Sequence, residues 1–228
     1  MTPERGAPLW ASLFESPRDP AYKPAAPWYK KGSGRWEGLS WPLPACEGEP
    51  WERRSYIALD VETTGLDPIV GRIVEIALVQ FTFDPEGALI EERRFESLIN
   101  PNQPIPAQAS RIHGIIDADV AQKPLFGELT TQISSLCADR VVVGHNIQFD
   151  IGFIEQEFTR NGLSPNLMEA ADTFGLAKRA FPSMLSYNLG KLAFALGLES
   201  SAQHRALGDA LTSMRLFAVA MRALTERC

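Results

Sequence analysis

Between residues 56 and 228, short runs of β-branched and apolar residues alternate with longer segments of helical period, and this alternation constrains the fold most. Three of the runs predict strands that pair as a meander, because a turn signal at 84–87 separates the second from the third; they span 56–61, 72–83 and 88–99. The run 141–143 predicts a fourth, buried strand. Apolar periodicity predicts helices near 107–112, 125–138, 147–160, 173–181, 189–196 and 206–224. This order favours one α/β domain with helices over a mixed sheet.

The first 55 residues have a different character. They contain nine of the seventeen prolines and show no apolar period of two or of 3.6, so we predict an irregular extension without a core of its own. They also contain all five tryptophans, Trp10, Trp28, Trp36, Trp41 and Trp51. Large aromatics at this density indicate docking, either against the body of the chain or against a protein partner. The sequence therefore divides into an extension, 1–55, and a folded domain, 56–228.

Composition excludes several classes of protein. No apolar run approaches the roughly 18 residues of a membrane span, and the N-terminus lacks the apolar core of an export signal. The three cysteines are odd in number and far apart, which fits neither a disulfide framework nor a zinc site. We therefore expect a cytoplasmic protein with no membrane partner. The net charge of −6 argues against a broad basic surface, although an acidic site filled with divalent metal can still attract nucleic acid.

Carboxylates follow the predicted strands. Asp60 and Glu62 are two residues apart at the end of the first strand, so their side chains share a face. Asp150 follows the fourth strand, in the first turn of the next helix. Asp209 lies near the start of the last helix, and His204 shares its face only if the histidine precedes the helix or lies in its first turn. Hard oxygen ligands of this kind suit Mg²⁺ or Mn²⁺.

Three blocks of sequence carry these five residues. They are IALDVETTGL at 57–66, GHNIQFD at 144–150 and HRALGD at 204–209, and RIHGI at 111–115 adds a fourth element. In order and spacing they resemble the DEDDh, or DnaQ-like, 3′–5′ exonucleases over residues 56–226. Within that family the blocks are most similar to the proofreading epsilon subunits of bacterial DNA polymerase III. The resemblance implies a ribonuclease H-like fold, with a mixed five-stranded sheet flanked by helices.

The same resemblance assigns roles residue by residue. It implies that Asp60, Glu62, Asp150 and Asp209 ligate two divalent metal ions, Mg²⁺ or Mn²⁺, and that His204 is the general base for the attacking water. Metal pairs of this kind stabilise both oxygens of an in-line displacement. The implied contacts to the terminal nucleotide come from Thr63, Gly65, Leu66, His113, Asn146 and Phe149.

The implied activity is release of 5′-mononucleotides from 3′ ends of DNA, most naturally single-stranded, in proofreading or repair. Two alternatives stay open: an enzyme that trims RNA or degrades oligoribonucleotides, and an inactive nucleic-acid-binding scaffold. The second would be expected to lack a ligand or the histidine. A replicative subunit would also be expected to continue into a polymerase-binding tail, which we do not find. The extension is expected to be dispensable for bond cleavage.

Three further polar residues have simpler interpretations. Asp172 precedes a predicted helix and is expected to be an N-cap or otherwise structural. Glu75 lies inside a strand and is also expected to be structural. His145 neighbours Asn146 and is expected to satisfy backbone groups.

Overall fold

The computed structural model describes residues 26–39, 50–199 and 204–225. The expectations for Trp10 and Trp41 therefore lie outside the described residues. The described strands are β1 (Trp28–Lys31), β2 (Trp36–Leu39), β3 (Tyr56–Thr63), β4 (Ile73–Phe83), β5 (Leu89–Leu98), β6 (Val141–Gly144) and β7 (Glu169–Asp172). The described α-helices are α1 (Ala107–His113), α2 (Asp117–Val120), α3 (Phe126–Cys137), α4 (Gln148–Arg160), α5 (Thr173–Ala180), α6 (Leu189–Ala195) and α7 (Ala206–Thr225). A 3₁₀ turn, Trp51–Arg53, precedes β3.

The described strands form one mixed sheet in the order β2-β1-β7-β6-β3-β4-β5. β3, β4 and β5 form the predicted antiparallel meander, and β6 runs parallel to both β3 and β7. Helices cover both faces of the sheet. The predicted α/β class, with a mixed sheet flanked by helices, is confirmed.

The sheet has seven strands in the described residues, where five were expected. One strand that the sequence did not locate is β7, whose four residues, EAAD, include no β-branched or aromatic side chain. The other two are β1 and β2, a regular hairpin within the segment expected to be irregular. Strands of four residues between prolines and glycines are too short to show a clear alternation. The number of strands expected from the sequence was therefore wrong, because the missed strands are too short to show a pattern, whereas the expected class of fold was right.

The hairpin is joined to the body of the domain. β1 pairs antiparallel with β7, and Trp28 is only 2% exposed. Trp51 is buried as well, and its ring meets Phe83 edge-on at 4.6 Å between centroids. Lys31 forms an ion pair with Glu155 of α4 at 2.6 Å. For Trp28 and Trp51, docking is thus against the same chain.

Alternate residues of β3 face different helical layers. Tyr56 and Ala58 lie in a core cluster with Phe217 of α7. Ile57 and Leu59 lie in a second cluster, formed with α3 and α4 on the other face. Even-numbered residues of β3 therefore project toward α7. Within the described residues, no helix combines the length and apolar character of a membrane span.

Candidate active site

Three carboxylates meet where β3 faces the first turn of α7. Asp60 and Glu62 are even-numbered residues of β3 and so project toward α7, and Asp209 lies in the first turn of that helix. One oxygen from each of the three lies within 4.8 Å of the other two. A group of hard oxygen atoms this close together could hold a metal ion.

Asp150 approaches the same strand from the other helical layer. It lies in the first turn of α4 and is 4% exposed. Its Oδ1 accepts a hydrogen bond from the backbone nitrogen of Val61 at 3.0 Å. Because Val61 lies between Asp60 and Glu62, this bond places the Asp150 carboxyl beside the strand carboxylates. Asp150 is not one of the three residues within 4.8 Å of one another, but its charge acts on Asp60.

Burial and mutual repulsion raise the pKa of these carboxyl groups. Burial, followed by the charges of Asp150 and Asp209, raises the pKa of Asp60 well above its usual value. Burial and the charge of Asp209 raise the pKa of Glu62 to about 8. Burial also raises the pKa of Asp150 to about 8, against the opposing effect of the Val61 hydrogen bond. Such a site favours either bound protons or a cation that offsets the repulsion.

His204 lies just before α7, which begins at Ala206. A histidine that precedes the helix can share a face with Asp209 in spite of the five positions that separate them. Its φ is 60°, in the left-handed region, where a residue other than glycine is uncommon. Its backbone nitrogen donates to Oδ2 of Asp209 at 3.2 Å. Burial raises the pKa of Asp209, while this hydrogen bond and the charge of His204 lower it. The imidazole is thus close enough to act electrostatically on the proposed ligand.

Glu75 has a larger part in the site than the sequence indicated. It pairs directly with Glu62 across β3 and β4 and is 4% exposed. Its carboxylate accepts hydrogen bonds from the guanidinium of Arg205 and from the backbone nitrogen of Ala206 at 3.0 Å. The expectation of a structural role fits these contacts. The sequence could have indicated that Glu75 has a partner, because a charged residue buried in an apolar strand requires a hydrogen-bonding or oppositely charged group beside it.

Thr63 is the last residue of β3, and Gly65 and Leu66 lie in the turn that follows it. The Thr63 hydroxyl donates to the carbonyl of Gly65 at 2.7 Å, which closes the turn. The side chain of Leu66 is left 57% exposed. Leu66 lies four residues beyond Glu62, and the proposed contact with the terminal nucleotide requires it to be accessible, as it is.

The other three candidate contacts come from separate elements. His113 ends α1 and is buried, and its Nδ1 accepts from the nitrogen of Ile115 at 3.0 Å. Burial lowers its pKa, and a hydrogen bond to the backbone of Thr63 opposes this effect. The charges of Glu75, Arg205 and His204 have smaller effects on it. Asn146 has a left-handed φ of 58°, in the loop before α4. Phe149 is half-buried and its ring lies 5.0 Å from that of Phe153.

Asp172 and His145 hold the loop before α4 through hydrogen bonds. Asp172 accepts hydrogen bonds from the nitrogens of Phe174 and Asn146 at 2.9 and 3.0 Å, so it is the predicted N-cap, and burial raises its pKa to about 6. His145 bonds to the hydroxyl of Thr173 and the carbonyl of Tyr187. Both residues have the structural roles expected of them.

Comparison with known proteins places these residues in a family. Residues 57–217 match the RNase_T family, which is described as an exonuclease family. The DNA polymerase III subunit epsilon of Treponema pallidum is 37% identical over 168 residues, which cover 73% of this chain and 76% of the relative.

Two solved structures share the architecture. Exonuclease X, solved in complex with 5′ overhanging duplex DNA, is 28% identical with a TM-score of 0.56, and the match covers 73% of this chain and 91% of that one. Exonuclease I of E. coli, solved with a dT13 oligonucleotide, is 21% identical with a TM-score of 0.65 and shares the fold. That match covers 77% of this chain but 42% of exonuclease I. The expected ribonuclease H-like fold and family resemblance are confirmed: the chain belongs to the RNase_T exonuclease family and is an enzyme of that family.

Proposed function

We propose that this protein is a metal-dependent 3′–5′ exonuclease that hydrolyses the terminal phosphodiester bond of DNA and releases 5′-mononucleotides. The observation that carries the proposal is that Asp60, Glu62 and Asp209 have oxygen atoms within 4.8 Å of one another. His204, whose backbone is in the left-handed region, is hydrogen-bonded to this group through Asp209. Family membership supports nuclease chemistry at this place. The relative from Treponema, an epsilon subunit, supports DNA as the substrate and proofreading or repair as the role.

The donor set fits two divalent cations, Mg²⁺ or Mn²⁺. All four proposed ligands, Asp60, Glu62, Asp150 and Asp209, offer carboxylate oxygens, which hard cations prefer. The raised pKa of Glu62, about 8, also fits, because bound cations would replace the protons that otherwise relieve the repulsion. When bound, such metals stabilise the charge on the attacking and leaving oxygens.

His204 is the proposed general base. Imidazole is the side chain best suited to accept and release a proton near neutral pH, here the proton of the attacking water. The hydrogen bond from its backbone to Asp209 holds the loop against the carboxylate cluster. This bond fixes the backbone of His204 beside the cluster, which supports a role for its imidazole there.

The terminal nucleotide is proposed to lie over the turn after β3. Leu66 would pack on the base, and Thr63 and Gly65 would present backbone groups to the nucleotide. The same pocket would be completed by His113, Asn146 and Phe149. We also propose that the natural substrate is a single-stranded 3′ end, and that residues 1–55 provide a site for a protein partner.

Digestion of end-labelled oligonucleotides tests the proposal. A 5′-labelled single strand should give a ladder that shortens from the 3′ end in Mg²⁺ or Mn²⁺, and nothing in excess EDTA. Asp60→Asn and Asp209→Asn should abolish the ladder, whereas Asp84→Asn, an acid in the β4–β5 turn, should not. Parallel duplex DNA and RNA substrates define the preference. Release from 5′ ends, or full activity in EDTA, would contradict the proposal, and faster cleavage of RNA would replace DNA as the substrate.

A further inference from the structure

Arg205 lies between the proposed base and the last helix, and it is held there by Glu75. Both carboxylate oxygens of Glu75 accept from Nε of Arg205 at 3.1 Å, and Oε1 also accepts from Nη2 at 2.5 Å. Oε2 of Glu75 accepts in addition from the backbone nitrogen of Ala206 at 3.0 Å. This fork fixes the orientation of the guanidinium plane, not just the position of its charge.

The two partners differ sharply in exposure. The Glu75 side chain is 5% exposed, whereas the Arg205 side chain is 51% exposed. Within the described part of the chain, Nη1 of Arg205 makes no hydrogen bond. The fork with Glu75 thus uses Nε and Nη2, which leaves Nη1 for a further partner on a side chain that is half exposed.

Arg205 lies on the active-site face of the sheet. Glu75 pairs directly with Glu62, so the two side chains share that face, and Arg205 reaches Glu75 from the same side. The charge of Arg205 also acts on both Glu62 and His113, which are proposed to bind metal and nucleotide respectively. The Arg205 cation is therefore close enough to act both on the carboxylate cluster and on a residue of the proposed nucleotide pocket.

A strand that enters this site brings several phosphates toward a cluster of carboxylates. Bound metal can offset this repulsion at the scissile phosphate, and less so at the neighbouring phosphates, which lie farther from it. A guanidinium whose Nη1 is left for a further partner is well suited to a phosphate oxygen. We infer that Arg205 binds a backbone phosphate flanking the scissile bond, and that Glu75 is the positioning residue that aims it. The inference rests on the proposed function.

Arg205→Gln tests the contact, with Arg94→Gln as the matched control. Arg94 is 48% exposed and is also held by a neighbouring carboxylate, that of Glu91, but it lies on β5 at the outer edge of the sheet. Arg205→Gln should raise KM for single-stranded DNA about 10- to 100-fold, the usual worth of a charge-assisted contact, with a smaller change in kcat. It should also lower the slope of log KM against log salt by about 0.7. Arg94→Gln should change neither.

Neutral methylphosphonate linkages locate the phosphate. Substituting each of the last three linkages in turn, and comparing the parent with Arg205→Gln, should show one flanking linkage whose neutralisation raises KM in the parent but little further in the variant. Arg205→Lys retains the charge but not the guanidinium fork, so it should keep part of the penalty at that linkage, which separates loss of the contact from poor folding of the Gln variant. Equal penalties in the parent and in Arg205→Gln at every flanking linkage would overturn the inference.

Glu75→Gln tests the positioning role. Because the neutral amide no longer holds the guanidinium fork, KM should rise as in Arg205→Gln, and combining the two changes should add little. A KM unchanged from the parent would overturn the role of Glu75. The proposed function fails separately: if Asp60→Asn retains activity, the carboxylate site itself is wrong, whatever Arg205 does.

Discussion

Oδ1 of Asp150 lies 3.0 Å from the backbone nitrogen of Val61, and this hydrogen bond joins the first turn of α4 to the centre of the acidic strand. The Asp150 carboxyl group thus accepts a backbone hydrogen bond through Oδ1, and Oδ2 can still ligate a metal ion. Because Val61 is flanked by Asp60 and Glu62, the bond fixes how the two helical layers meet at the site. The two roles can be separated by substitution.

Asp150→Asn and Asp150→Ala should differ in stability but not in activity. The Asn carbonyl can still accept from Val61, and it removes a buried acid whose pKa is raised to about 8, so the free energy of unfolding in EDTA should be at least that of the parent. Ala leaves the Val61 nitrogen unpaired and should cost about 1–3 kcal/mol. Urea melts measure the difference, and both variants should lose nuclease activity. Equal stability of the two variants would mean that the hydrogen bond contributes little.

His204→Ala should lose rate while keeping metal. Four carboxylates remain, but the proposed base is gone, so kcat should fall roughly 10²- to 10⁴-fold. Mn²⁺ titration should still show binding, whereas Asp60→Ala should lose metal and activity together. The rising limb of the parent pH–rate profile should flatten in His204→Ala. Near-normal turnover would exclude the residue as the base.

Trp28→Ala should destabilise the domain although it lies in the N-terminal extension. The ring is 2% exposed and contacts Phe217 at 6.3 Å between centroids, so its removal should lower the free energy of unfolding by about 3–5 kcal/mol. Trp36→Ala, at a partly exposed position on β2, should cost less. Denaturant melts of the two variants give the comparison. A smaller loss for Trp28 than for Trp36 would mean that the hairpin does not anchor the sheet.

Deleting residues 1–50 should lower stability and leave bond cleavage intact. Every proposed catalytic residue lies at or beyond Asp60, but the deletion removes the strand that pairs with β7. The backbone of Asp172 also loses its acceptor, the carbonyl of Pro27 at 3.0 Å. Turnover of a dinucleotide at low temperature, set beside the thermal midpoint, measures both effects. Loss of turnover in a folded truncation would show that the predicted division at residue 55 is wrong.

His145 should make the protein sensitive to acid. Burial lowers its pKa from 6.5 to about 4, so the unfolded chain takes up a proton at a higher pH than the folded one. The contribution of His145 to stability should therefore fall as the pH drops from about 6.5 to 4, by about 1–3 kcal/mol, while the raised pKa of Asp172 acts in the opposite direction. In EDTA, the unfolding free energy of the parent relative to that of His145→Asn should therefore decrease over this pH range. Parallel curves would assign the acid sensitivity elsewhere.

Local pattern was sufficient for most of the helices and for the meander. The 20 residues of α7 repeat an apolar face over more than five turns, and β4 is buried along nearly its whole length. Each element can therefore be predicted from its own residues alone. The proposed catalytic residues were also found from sequence, because motifs of fixed spacing need no knowledge of distant contacts. Their assigned roles remain a proposal.

Contacts between distant segments decided the rest. The strand EAAD becomes β7 because β6 and β1 offer backbone partners on either side, a fact that four residues with no β preference cannot express. Glu75 is tied to Arg205 across 130 positions, and no local pattern links the two. The sequence by itself thus determined which segments become long regular elements, and it supplied the side chains that we propose carry the chemistry. Only the tertiary structure decided how the sheet is completed and which buried carboxylate pairs with which guanidinium, because hydrogen bonds and ion pairs depend on distances in space that chain separation does not set.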